Sequence, residues 1–155
     1  MTGYSDADWA SSVQDRKSTS GYVVIVAGGP VIWKSRKQQA VALSTMEAEY
    51  VAMGECVREV IWMKQLLREI DFDIDIAPDS TLIQCDNQSA IAHAKSYVDK
   101  TRTKHIDIKH HFIREKIDKR EVHIEYIRSN ENIADLLTKP LARQMHWKHT
   151  NVLTK

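Results

Sequence analysis

One long stretch of helical period constrains this chain most. Met53, the pair Cys56 and Val57, Val60, Met63 and Leu67 recur at steps of three or four residues as far as Ile70, which sets them along one core-facing stripe. Ser44-Thr45-Met46-Glu47 precedes the stripe and fits a capping box, the Ser44 hydroxyl and Glu47 carboxylate reciprocally satisfying free backbone N–H groups. The chain ahead of this helix is β-rich. Residues 2–9 predict a short first strand, residues 11–20 a polar loop, and the runs 21–27 and 30–34 a hairpin turning at Gly28-Gly29.

Beyond the helix, residues 71–80 hold four aspartates and Pro78 and predict an exposed acidic loop. Thr81 to Cys85 predicts a strand, with Asp86-Asn87 capping a helix through Ile91 and Ala94. Ile106, His110, Ile113 and Ile117 share one helical face, and Val122, Ile124 and Tyr126 alternate with polar residues as a half-buried strand. A last helix is expected from Asn130–Asn132 through Ala134 and Leu137. The order βββ–α–β–α–α–β–α implies an α/β fold: three antiparallel strands, then two added through helical crossovers, in a five-stranded mixed sheet flanked by helices.

Composition narrows the class. With 155 residues, 43% hydrophobic and 28% charged, the chain is expected to be one globular domain. No apolar run approaches the roughly 20 residues that cross a bilayer, and no signal-peptide pattern opens the chain. Two cysteines, Cys56 and Cys85, exclude a disulfide scaffold and a four-cysteine zinc site, and suit a reducing compartment. Residues 1–94 carry eight Lys/Arg against 13 Asp/Glu, whereas residues 95–155 carry 14 against eight. Such a split suits carboxylates gathered in one place and phosphate-binding charge in another, as well as ordinary surface charge.

Four carboxylates stand at informative places. Asp6 is near the end of the first strand and Asp86 at the carboxyl end of the fourth, the side where open α/β sheets place ligands. Asp135 falls in the first turn of the last expected helix. Each has a bland alternative: a turn residue, an N-cap, a first-turn acid favoured by the helix dipole. Glu49 is harder to dismiss, because it starts the line Glu49, Met53, Cys56, Val60, which is the apolar face itself. A carboxylate aimed at a core is costly unless paired or ligating a metal, and a hard cation such as Mg²⁺ held by oxygens from several elements resolves the conflict.

Six segments together carry a resemblance: residues 4–10 (YSDADWA), 16–22 (RKSTSGY), 42–50 (ALSTMEAEY), 85–90 (CDNQSA), 104–107 (KHID) and 134–140 (ADLLTKP). They closely resemble the ribonuclease H domain of copia-type LTR-retrotransposon Pol polyproteins, from Gly3 to about Arg143. The resemblance implies a ribonuclease H-like fold over residues 1–143, with 144–155 as a C-terminal tail. It implies hydrolysis of the RNA strand of RNA–DNA hybrids during reverse transcription. Asp6, Glu49, Asp86 and Asp135 fall on the four catalytic, metal-binding positions, for two Mg²⁺ ions with substrate and Mn²⁺ as substitute. Ser44, Thr45 and Gln88 match substrate contacts, and Asp8 is expected to support the site from behind.

The same resemblance implies a reverse transcriptase domain in the same polyprotein as partner, no membrane, and an intracellular setting, in a cytoplasmic particle or the nucleus. Two departures stand out. The loop 128–132 has no histidine where many ribonucleases H carry one, which leaves Glu131 or water to serve there; His123 comes too early. Only five residues precede Asp6, so the first strand is expected to be clipped. These departures keep open a weak or inactive hybrid-binding tether beside the reverse transcriptase. A transposase or integrase core fits less well, since its glutamate comes late and Glu49 comes second. Lys95, Lys100, Arg102, Lys104 and Lys109 have the composition of a phosphate-tracking surface. Among His105, His110 and His111, a core role for His110 is the commoner outcome than a zinc site, and Trp9, Trp33, Trp62 and Trp147 are expected to pack.

Overall fold

The computed structural model describes residues 1–70, 79–96 and 104–154, without the side chains of 104–110. The acidic segment 71–78, Lys100, Arg102 and the side chains of Lys104, His105, Lys109 and His110 therefore lie outside the described residues. The elements are β1 (Thr2–Asp8), β2 (Thr19–Val26), β3 (Gly29–Lys37), α1 (Thr45–Glu69), β4 (Thr81–Cys85), α2 (Gln88–Lys95), α3 (Lys104–Asp118), β5 (Val122–Tyr126), 3₁₀ turns at Ser129–Glu131 and Ile133–Leu137, and α4 (Arg143–Leu153). They build one sheet in the order β3-β2-β1-β4-β5. The first three strands are antiparallel, and β4 and β5 run parallel to β1. That is the expected mixed sheet, with β1 at its centre.

Local chemistry explains most of the element ends. Val26 pairs with Gly29, so the hairpin loop is Ala27-Gly28, both at positive φ (50° and 83°). Two successive positive φ values are what a type I′ turn demands, and they move the turn one residue ahead of the expected Gly28-Gly29. Ser44 caps α1 by accepting from the Glu47 N–H, but Glu47 Oε2 accepts from Leu43 N rather than from Ser44 N. The reciprocal half of the box thus closes one residue further out. β1 is seven residues long and pairs on both sides.

The α1 stripe does what its period predicts. Met53, Cys56, Val57 and Val60 are fully buried in one cluster with Ile83, Cys85, Ile113, Val122 and Ile124. A Cβ on Gly3 would come within 2.8 Å of Cys56 Sγ and Ile83 Cδ1, which shows how closely α1 lies against β1. At the far end of α1 the buried Lys64 ammonium donates to the carbonyls of Asp79 and Glu121, tying the helix to the starts of β4 and β5.

The C-terminal region departs from the sequence reading. Asp135 stands in the five-residue 3₁₀ turn, not in a last α-helix, because Pro140 ends any continuation and short turns favour the tighter 3₁₀ pattern. Residues 144–155, expected as a tail, hold nearly all of α4, which sets His149 into the interior at 1% exposure. The four tryptophans do not pack in the core: Trp9, Trp33, Trp62 and Trp147 are 44%, 60%, 51% and 59% exposed. His111 is exposed as well.

Candidate metal centre

Strand register brings the first two acids together. β1 and β4 run parallel with Ser5 opposite Cys85, so Asp6 and Asp86, one residue on, leave neighbouring strands at their carboxyl ends. Asp86 is spared for this place because the helix cap is made by the next residue, Asn87, whose side chain accepts from Ala90 N at 2.9 Å. Glu49 arrives from the first turns of α1. That turn is pinned by Gln38, whose buried Nε2 donates to Ser20 Oγ (2.8 Å) and to the carbonyl of Ala48 (2.9 Å).

Asp135 is brought in by a second amide. Asn132, fully buried, donates from Nδ2 to the carbonyl of Ser5 (2.9 Å), while its Oδ1 accepts from Ala134 N (3.2 Å). One side chain thus caps the Asp135 turn and fastens it to β1 beside Asp6. Gly21 opposite Asp6 leaves room for this: a Cβ there would meet Thr138 Cγ2 at 2.7 Å and Leu137 Cβ at 2.9 Å.

The result is two overlapping sets of ligand atoms. Asp6, Asp86 and Asp135 each offer a carboxylate oxygen, all within 4.8 Å of one another, and so do Glu49, Cys85 and Asp86 with two carboxylates and a thiol. Asp86 belongs to both. Asp6, Glu49 and Asp135 are 1%, 6% and 6% exposed. The crowding shows in the protonation of Asp6 and Glu49. Burial, then Asp135 and Asp86, push Asp6 up to about 7, against the Thr138 hydroxyl and Lys139. Burial, then Asp6 and Asp86, push Glu49 up to about 9, against the N–H of Ala7. Groups that resist ionising side by side, yet offer hard oxygen donors, fit a divalent cation that supplies the missing charge.

Comparison with known proteins places this geometry. No family model matches the chain. It is 43% identical over 143 residues, 92% of its length, to the retrovirus-related Pol polyprotein from transposon TNT 1-94 of Nicotiana tabacum, and it spans 10% of that relative's length. Among solved structures, the N-terminal RNase H domain of a Mycobacterium tuberculosis protein superposes with a TM-score of 0.63 at 10% identity, over 97% of this chain and 95% of that one. An RNase H1 isolated from compost, solved in complex with an RNA/DNA hybrid, gives 0.59 at 15% identity over 88% and 92%. The chain is thus similar to a segment of retrovirus-related Pol polyproteins and has the ribonuclease H fold.

The other expected site residues stand at the ends of their elements. Ser44 is half-buried at the α1 cap, Thr45 is exposed beside it, and Gln88 is exposed at the first position of α2. Asp8 ends β1, half-buried opposite Thr19. Glu131 is exposed in the first 3₁₀ turn, and Lys95 is exposed at the end of α2.

Several residues at the centre carry no role in the sequence reading. Thr138 donates its hydroxyl to Asp6 Oδ2. Lys139 Nζ lies 3.1 Å from Asp135 Oδ1. The Cys85 thiol stands 4.0 Å from Glu49 Oε2, and burial, then Glu49, raise its pKa. His149 is buried on α4, where burial lowers its pKa against the opposing pull of Asp135. The motif ADLLTKP places Thr138 and Lys139 three and four residues after Asp135, one turn away, which was a usable signal. Nothing in the sequence marks His149.

Proposed function

We propose that this chain is a divalent-metal-dependent endoribonuclease that cleaves the RNA strand of RNA–DNA hybrids, leaving 5′-phosphate and 3′-hydroxyl ends, within a retrotransposon Pol polyprotein that also carries its reverse transcriptase. The observation that carries this reading is the pair of ligand sets sharing Asp86, built at the carboxyl ends of β1 and β4. Asp6, Asp86 and Asp135 would hold one Mg²⁺ and Glu49 with Asp86 a second; Mn²⁺, of similar hardness, would substitute. When bound, such ions supply Lewis acidity at a scissile phosphate and activate water for in-line attack.

The protein's own part is placement. Gln38 ties the α1 turn to β2 and Asn132 ties the 3₁₀ turn to the central strand. Thr138 holds the Asp6 carboxylate in one orientation. Ser44, whose hydroxyl proton stays free to donate after it accepts from Glu47 N, Thr45 and Gln88 offer short hydroxyl and amide groups at the starts of α1 and α2, the helices that carry Glu49 and follow Asp86. They suit phosphate and 2′-hydroxyl contacts, the latter separating RNA from DNA. The compost RNase H1 in complex with an RNA/DNA hybrid supports hybrid as the substrate class.

The absence of histidine in residues 128–132, with His149 shut inside, favours a second reading in which the chain binds hybrid and cuts it weakly or not at all. One assay decides: a labelled hybrid incubated with Mg²⁺, Mn²⁺ or EDTA. Cleavage in both metals, abolished by EDTA and by Asp6→Asn or Asp86→Asn with hybrid binding retained, is the expected result. Turnover in either variant overturns the ligand assignment, and binding without cutting in the native chain establishes the tether.

A further inference from the structure

The Asp135 turn brings its own cation to the acidic cluster. Lys139 Nζ is 3.1 Å from Asp135 Oδ1 and 4.0 Å from Asp6 Oδ2. The two carboxylates are 8% and 2% exposed at their side chains, whereas Lys139 reaches in from the surface at 37%. Among the described residues Asp135 Oδ1 has no hydrogen-bond donor besides this ammonium, so Lys139 is what offsets its charge. Asp6 Oδ2 also accepts from Thr138, the residue before Lys139. Adjacent side chains of one turn therefore address the oxygens that a cation between Asp6 and Asp135 would need. A divalent ion and an ammonium repel and compete for the same lone pairs, so both cannot keep those positions.

We propose that Lys139 is the resident counter-ion of the metal-free site, displaced from Asp6 and Asp135 when a divalent ion binds. The inference rests on the metal-dependent reading above and adds a determinant of how tightly the ion is held. Lys139 is then no catalytic residue. It stabilises the metal-free fold, where two buried carboxylates would otherwise face each other unscreened, and it opposes ion binding. The divalent ion meets a site already partly neutralised, and the affinity is set by the difference between two cations rather than by bare carboxylates.

The test is titration of the full chain with Mn²⁺, read by the loss of the free-ion signal in electron paramagnetic resonance, with thermal melts in EDTA alongside. Lys139→Met is expected to bind Mn²⁺ about tenfold more tightly, equivalent to about 1.4 kcal/mol. It should melt lower than the native chain in EDTA and gain more from added Mn²⁺. Lys139→Arg keeps the charge and is expected to bind as the native chain does. Equal or weaker Mn²⁺ binding by Lys139→Met overturns the proposal. Asp6→Asn separates the levels: if it abolishes Mn²⁺ binding while Lys139→Met changes nothing, only the counter-ion role fails. If the native chain binds no Mn²⁺, the metal-dependent reading fails and takes this inference with it.

Discussion

Asn132 offers the sharpest test of how the site is held, because its two hydrogen bonds do separable jobs. Asn132→Ala removes the cap on the Asp135 turn and the donor to the Ser5 carbonyl. Loss of a cap costs about 1 kcal/mol. Leaving a buried carbonyl without its donor costs about 1–3 kcal/mol more. The sum of about 2–4 kcal/mol corresponds, for a chain of this size, to a fall in Tm of about 4–16 °C. Asn132→Asp is the informative partner: it keeps an oxygen to accept from Ala134 N but replaces the donor with a carboxylate facing the Ser5 carbonyl, beside Asp6 and Asp135. Burial and those neighbours raise the introduced carboxyl's pKa. Its protonated form, able to donate to Ser5 O, is therefore the stable one, and stability is lost as pH rises through that pKa. Paired melts of both variants between pH 5 and 8 in EDTA check this. Asn132→Asp should approach the native Tm at the acid end and fall below it toward pH 8, while Asn132→Ala stays low throughout. A Tm for Asn132→Ala within 2 °C of native, or a pH-independent deficit for Asn132→Asp, refutes the argument that this amide fastens the turn to β1.

Two further outcomes follow from the same geometry. Asp6 and Glu49, raised to about 7 and about 9 when the site holds no ion, bind protons in the fold that the unfolded chain has released, so metal-free stability should decline as pH rises from about 4 to about 9. Melts in EDTA should show that decline and saturating Mg²⁺ should flatten it; a metal-free Tm that rises across the window contradicts the clustering. Gly21→Ala puts a methyl within 2.7–3.0 Å of Thr138, Leu137 and the Ala134 carbonyl. It should cost about 1–3 kcal/mol and displace Asp135, so hybrid cleavage falls further than hybrid binding; unchanged cleavage would place that turn outside the chemistry.

How much of this was legible depended on whether a residue's partners were local. The α1 stripe and the strand 122–126 announce themselves through period, with Val122 and Ile124 buried on either side of the exposed His123, whereas the run 21–27 announces itself through β-branched composition and is buried continuously over residues 21–24. Glu49 was legible as a conflict between its chemistry and its place on the apolar line. The 3₁₀ turn was not, since Ile133, Leu136 and Leu137 are as helical in spacing as any α-helix, and only Pro140 hinted at a stop. α4 was missed because its polar face dominates and only His149 is buried among its residues. The tryptophans mislead because apolar character favours burial without requiring it. Thr138 and Lys139 are near Asp135 in sequence but meet Asp6 only across the chain, and Asn132 and Gln38 act between elements; only coordinates bring those pairs together.

The central position of β1 has a consequence for how the site comes apart. Asp6 is carried by a strand bonded on both edges, so its amides are released only when the whole domain opens. Asp135 rides on a short five-residue turn tied to β1 by one asparagine and the Thr138 hydroxyl, outside the sheet's ladder of backbone bonds, and so opens at lower cost than the strand. Fluctuations will therefore peel the site from its C-terminal side, and any ligand captured there leaves by that door first.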